Sequence, residues 1–105
     1  MKLYNVEITD EALSDMDEIY YYIAVQLQAP ENALGQYNRI AENILLLNTM
    51  PERYPIIESE PEKARGVRFM PVDNYSVFYV INNDRVIITN VVYSASDIRT
   101  RLKNN

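Results

Sequence analysis

The chain has 105 residues, 15 acids against 10 bases for a formal charge of −5, and neither Cys nor His. Disulfides are therefore excluded, and a zinc or iron site would have to be built from carboxylates alone, which those metals rarely accept structurally. No apolar run approaches the ~20 residues that span a bilayer, no charged-then-apolar leader opens the chain, and the length suits one domain, 1–105, with one modest core; a cytoplasmic protein without metal or cofactor is expected.

The first element predicted is a strand over Lys2 to Ile8, where Leu3, Asn5 and Glu7 alternate with Tyr4, Val6 and Ile8. A helix follows over Asp10 to Gln28, with its apolar stripe at Leu13, Met16, Tyr20, Ile23 and Leu27, flanked by Ala12, Ile19 and Ala24. Thr9 or Asp10 is placed to cap it, and acids follow in the first turns, where the helix dipole favours them. At 100° per residue Tyr21, Tyr22 and Val25 fall opposite the stripe, a pattern that suits either a protein interface or a partial contact with the tail of the next helix or with Tyr54. Pro30 ends this helix and suits the first turn of a second. Its stripe is Ala33, Tyr37, Ile40, Ile44 and Leu47, and Pro51 stops it. With only Gln28, Ala29 and Pro30 between them, the two form an antiparallel helical hairpin.

From Gly66 to Asp97 the pattern changes to Val, Ile, Tyr and Phe. Two turn signals cut it, Pro71-Val72-Asp73-Asn74 and Asn82-Asn83-Asp84, because Asn and Asp tolerate left-handed backbone and bond their own main chain. The strands predicted are Val67–Met70, Tyr75–Ile81 and Arg85–Tyr93. Ser94 with Asp97 reads as a capping box, with a short helix expected after Ser96. The whole is an α+β fold of order β-α-α-β-β-β, an antiparallel helical hairpin packed on an antiparallel sheet.

Charge is divided along the chain. Up to Glu62 there are 12 acids and 3 bases; from Lys63 onward there are 3 acids and 7 bases. A basic second half on an acidic protein suits a localised anionic partner, or else an ordinary solvated surface. An acidic chain is a poor general binder of DNA or RNA, so no direct sequence-specific DNA binding is expected.

The strand before DEALSDMDEIYYYI, the run PENALGQYNRIAENILLL with its MPERYP stop, and then VRFMPVDNYSVFYVI and DRVIITNVVYSASD resemble, in order and spacing over nearly the whole chain, the RelE/ParE superfamily of bacterial toxins, the ParE-like branch in particular. The resemblance implies the toxin of a type II toxin–antitoxin module of the plasmid-stabilisation type, which inhibits growth by docking on DNA gyrase, and a cognate antitoxin as partner. That antitoxin would wrap the hairpin and sheet, and Tyr21, Tyr22 and Val25 are its expected contacts. Arg65, Arg68, Arg99 and Arg101 are the expected target contacts. The alternatives are a RelE-like ribosome-dependent endoribonuclease acting on messenger RNA, and an interaction domain without toxicity.

A ribonuclease of that kind needs a base, an acid and positive charge on the pentavalent phosphate. The resemblance puts Arg68 on the family's arginine position and Tyr93 where many relatives carry His. Ser76 and Ser94-Ala95-Ser96 stand where relatives carry basic residues, so the catalytic equipment is thinned. Tyr93 is a poor base, its ordinary pKa being ~10, and reads more readily as a strand-end tyrosine packed on the sheet. Arg68 alternates with Val67 and Phe69 and reads equally as a solvent-facing strand arginine, whose loss would shift stability by under ~0.5 kcal/mol. A Ser94/Asp97 catalytic pair is disfavoured because no His can serve as its base.

Overall fold

The computed structural model describes residues 1–93; Ser94, Asp97, Arg99, Arg101 and the helix expected after Ser96 lie outside the described residues. Thr9 caps helix α1 (Asp10–Tyr21) through its side chain, which accepts the Ala12 amide at 3.2 Å and donates to the Ile88 carbonyl at 2.8 Å. One hydroxyl thus starts the helix and ties it to the sheet. Helix α2 (Pro30–Leu45) begins with Pro30 in its first turn, as the missing proline N–H requires. Its predicted stripe is realised: Ala33, Ile40, Ile44 and Leu47 are fully buried, and Tyr37 packs against them. Each large aliphatic of this row contributes ~1.5–3 kcal/mol of transfer free energy.

The stripe of α1 lies elsewhere than predicted. Ala12, Asp15 and Met16 are buried and Ile19 packs on the core, whereas Leu13, Tyr20 and Leu27 are exposed. Two causes act together. Ala12 lets the helix approach the sheet closely, and Asp15 is admitted to the buried side because its carboxylate accepts the Val91 amide at 2.9 Å. Beyond Tyr21 the helix continues as a π-helical turn (Tyr22–Gln26), in which the Leu27 amide reaches the Tyr22 carbonyl at 3.0 Å. A five-residue step breaks the 100° periodicity on which the stripe was drawn.

Strands β1 (Asn5–Ile8), β2 (Arg68–Val72), β3 (Tyr75–Asn82) and β4 (Arg85–Tyr93) form one sheet of order β1-β4-β3-β2. The last three are the antiparallel meander expected, and β1 joins them parallel to β4, so the sheet is mixed. A bidentate pair from Arg85 to Glu7, at 2.6 and 2.9 Å, spans that parallel edge. Two-residue turns link the meander, each opening on a left-handed residue, Asp73 (φ 55°) and Asn83 (φ 59°). Pro71 belongs to β2 and not to the turn; β2 is an edge strand, where a missing amide donor leaves no ladder bond unmade.

The helices cover one face of the sheet, packing on Met70, Val77, Val86 and Ile88. The far face carries a smaller cluster, Ile57, Val67, Phe78 and Val92, partly roofed by the segment leading into β2.

At the core edge the fully buried Tyr79 hydroxyl donates to the Pro51 carbonyl at 2.6 Å, and burial pushes its pKa up to about 12. Because the neutral phenol is the folded form, this contribution is complete below pH ~10, the unfolded value, and is lost as pH rises toward the folded one. Tyr79→Phe is expected to cost ~1–3 kcal/mol by orphaning the carbonyl. In alkaline melts followed by circular dichroism, the variant should lose less stability between pH 10 and 12 than the parent.

Candidate functional site

Two groups of candidate side chains stand at opposite ends of the helix-facing side of the sheet. At one end is Arg68. Alternation places it with Met70 and Val72, opposite Val67 and Phe69, as expected. That face is not bare, however. The Arg68 Nη1 donates to the carbonyls of Tyr54 (2.6 Å) and Glu52 (3.1 Å), and Tyr79, its partner across β2 and β3, holds the Pro51 carbonyl. The Tyr4 hydroxyl donates to Glu52 Oε1 at 2.6 Å, which raises the Tyr4 pKa and lowers that of Glu52. Arg68 is therefore a half-buried clamp on the Pro51–Tyr54 segment, not the solvent-facing strand arginine anticipated.

At the other end is Tyr93. Strict alternation along β4 would turn it away from the helices with Ile87. A β-bulge intervenes: Phe78 pairs with Asn90 and Tyr79 with Ile88, so Thr89 is the extra residue. The bulge carries Val91 into the helix-side core and sets Tyr93 against Tyr75, ring centroids 5.4 Å apart and edge to face. β1 covers β4 only as far as Ile88, and beyond it Asp15 takes up the Val91 amide.

Between this strand end and the π-helical turn lies an open cleft of about 600 Å³, whose walls include Asp15, Glu18, Tyr22, Gln36, Tyr75 and Tyr93. Burial, then the Tyr93 and Tyr22 phenols, raise the pKa of Tyr75. One wall is braced by Asp73, which accepts from Arg39 Nε at 2.8 Å and from Gln36 Nε2 at 3.1 Å; the Arg39 bond is the main reason its pKa is lowered.

Arg68 and Tyr93 are not brought together. Their β3 partners, Tyr79 and Tyr75, are four residues apart, roughly 13 Å along the strand, and β2 and β4 are two strand spacings of ~4.8 Å apart. Arg65 is exposed and pairs with Glu62 at 3.5 Å on the approach to β2. Tyr21, Tyr22 and Val25 are each about half exposed, at 57%, 49% and 52%. Ser76, which the resemblance sets at an arginine position, is buried. Sequence reasoning passed over Asp15, Glu18 and Tyr75. The available signal was an acid at Asp15, between Ala12 and Ile19 and next to Met16, where an apolar face would exclude it unless it had a partner.

Among the described residues no group of three or more His, Cys, Asp or Glu is placed to hold a metal, and no helix is long and apolar enough to cross a membrane. The profile of the ParE toxin of the type II toxin-antitoxin system parDE matches residues 6–98. Solved structures with the same fold include the chromosomal ParDE system from P. aeruginosa, 22% identical with a TM-score of 0.70, covering 90% of this chain and 99% of that one. The RelBE2 toxin–antitoxin complex from Mycobacterium tuberculosis is 20% identical with a TM-score of 0.64, covering 90% and 95%. YafQ from E. coli strain BL21(DE3) is 14% identical with a TM-score of 0.51, covering 90% and 97%. No curated protein matches the chain in sequence. The chain belongs to the ParE toxin family of type II toxin–antitoxin systems.

Proposed function

We propose that this member of the ParE toxin family acts by docking, inhibiting DNA gyrase without cleaving a substrate, and that a cognate antitoxin neutralises it in the cytoplasm. The observation that carries the reading is the engagement of Arg68 by the Glu52 and Tyr54 carbonyls at the far end of the sheet from Tyr93. Cleavage of a phosphodiester requires a base, an acid and a cation converging on one phosphate. Here the arginine is occupied and distant from the tyrosine, and no His is present to replace either. Arg65, Arg68, Arg99 and Arg101 are the proposed target contacts. The antitoxin is supported by the family and by solved relatives that are toxin–antitoxin systems. Its proposed footing is the exposed Tyr21, Tyr22 and Val25.

Induction of the chain without antitoxin should arrest growth, with filamentation and DNA-damage signalling. Primer extension on reporter messages should show no codon-linked cuts. Cleavage at ribosomal A-site codons before any DNA damage would replace the docking reading with the ribonuclease one.

A further inference from the structure

Four non-glycine residues have left-handed backbone among the described residues. Asp73 and Asn83 are turn formers, Gln28 is polar, and Met50 alone is apolar. At φ 48° and ψ 50° the Met50 Cβ crowds its own carbonyl, and the ring of Pro51 favours extended backbone at the residue before it. Backbone of this kind persists only where its surroundings over-determine it, and it gathers at functional contacts. The surroundings are explicit here. Arg53 Nη1 donates to the Thr49 and Met50 carbonyls at 2.7 and 3.3 Å, Tyr79 holds the Pro51 carbonyl, and Arg68 holds those of Glu52 and Tyr54. The outcome is a Met50 residue 62% exposed, with the exposed Leu46 four residues before it. The Tyr4 amide donates to the Asn48 carbonyl at 2.8 Å, which brings the strand end carrying the exposed Leu3 alongside.

The same corner is locally basic on a chain of net charge −5. Lys2 stands over the Tyr4 ring at 4.8 Å and Arg53 over the Tyr54 ring at 5.1 Å, with Arg68 clamping the segment between. Glu52, the acid of that segment, is occupied by the Tyr4 hydroxyl. The corner lies past the C-terminal end of α2. Gln36, which shares a cleft wall with Tyr22, is nine residues back from Leu45, roughly 14 Å of helix. It is thus a different surface from the tyrosine face.

We propose that Met50, with Leu46 and Leu3 beside it, is an apolar anchor by which the chain docks on its target protein, at an apolar pocket rimmed by Asp or Glu. The proposal rests on the docking reading above and deepens it, by naming the chemistry of the receiving surface. Three observations carry it. An apolar side chain is held in solvent by a backbone state that Gly or Asn would adopt with less strain. The surrounding bases are complementary to an acidic rim. The patch is continuous with Arg68, one of the proposed target contacts, through the segment that Arg68 clamps. Exposed Met favours a protein surface, whereas affinity for a phosphate backbone comes from Lys and Arg.

The test compares the parent with Met50→Gly and Met50→Asn, two residues that tolerate this backbone, by thermal melts, calorimetric binding to purified DNA gyrase, and growth arrest at matched protein level. Both variants should melt no lower than a few degrees below the parent, and both should bind gyrase ~10-fold or more weakly. Unchanged affinity in both would overturn the anchor. So would a loss seen only in Arg53→Gln and only at low salt, which would assign the corner to a phosphate backbone. Should the parent itself fail to bind gyrase, that target is wrong, and growth arrest decides the anchor alone. Arrest lost in both variants, with antitoxin affinity unchanged, upholds it for another target protein; arrest retained in both overturns it.

Discussion

Arg68→Ala is expected to lower stability by ~2–3 kcal/mol, and to weaken toxicity only partly, through the smaller folded population and the loss of one of several target contacts. One charged nitrogen serves two carbonyls, those of Glu52 and Tyr54. Hydrogen bonds to charged groups contribute ~1.5–3 kcal/mol each, discounted here because the site is part-exposed and water can enter. The loss should lower Tm by about 10 °C for a domain of this size. A catalytic arginine behaves differently: its removal would cost ~10²–10³ in rate while the melting curve stayed in place. Thermal melts and growth arrest measured on the same variant separate the two. Unchanged stability with abolished toxicity would return Arg68 to the reacting site.

The second large effect is at the tyrosine face. Tyr21→Ala combined with Tyr22→Ala should weaken antitoxin binding by ~2 kcal/mol or more, about 30-fold in Kd, since large aromatics at an interface centre dominate its energetics. Both side chains are about half exposed, so calorimetric binding should change far more than the thermal midpoint. An unchanged Kd would move the antitoxin off α1 and the π-helical turn.

What was legible in the sequence was local. Thr9 as a cap, Pro30 in a first turn, the α2 stripe, and Asp73 and Asn83 as turn residues each follow from the chemistry of one or a few neighbouring residues. Arg68 was correctly assigned to the face opposite Val67 and Phe69. What waits on that face, the carbonyls of a segment 14 and 16 residues away, has no signature in a strand pattern. The bulge at Thr89 is similar. It moves Tyr93 to the helix side by adding one residue that alternation counts as ordinary. On α1 the stripe failed because a buried acid and a π-helical step both violate the rule by which stripes are drawn. The cleft formed by the bulge and that step was therefore hidden, while the exposure of Tyr21, Tyr22 and Val25, which needs only helical geometry, was found.

The central claim is that the chain inhibits by binding. Purified protein should be added in increasing amounts to DNA gyrase relaxing and supercoiling a closed plasmid, and in parallel to ribosomes translating a defined message. Docking predicts that supercoiling fails as the protein approaches stoichiometry with gyrase, while the message stays intact. Normal supercoiling together with cleavage of the message on the ribosome would contradict it.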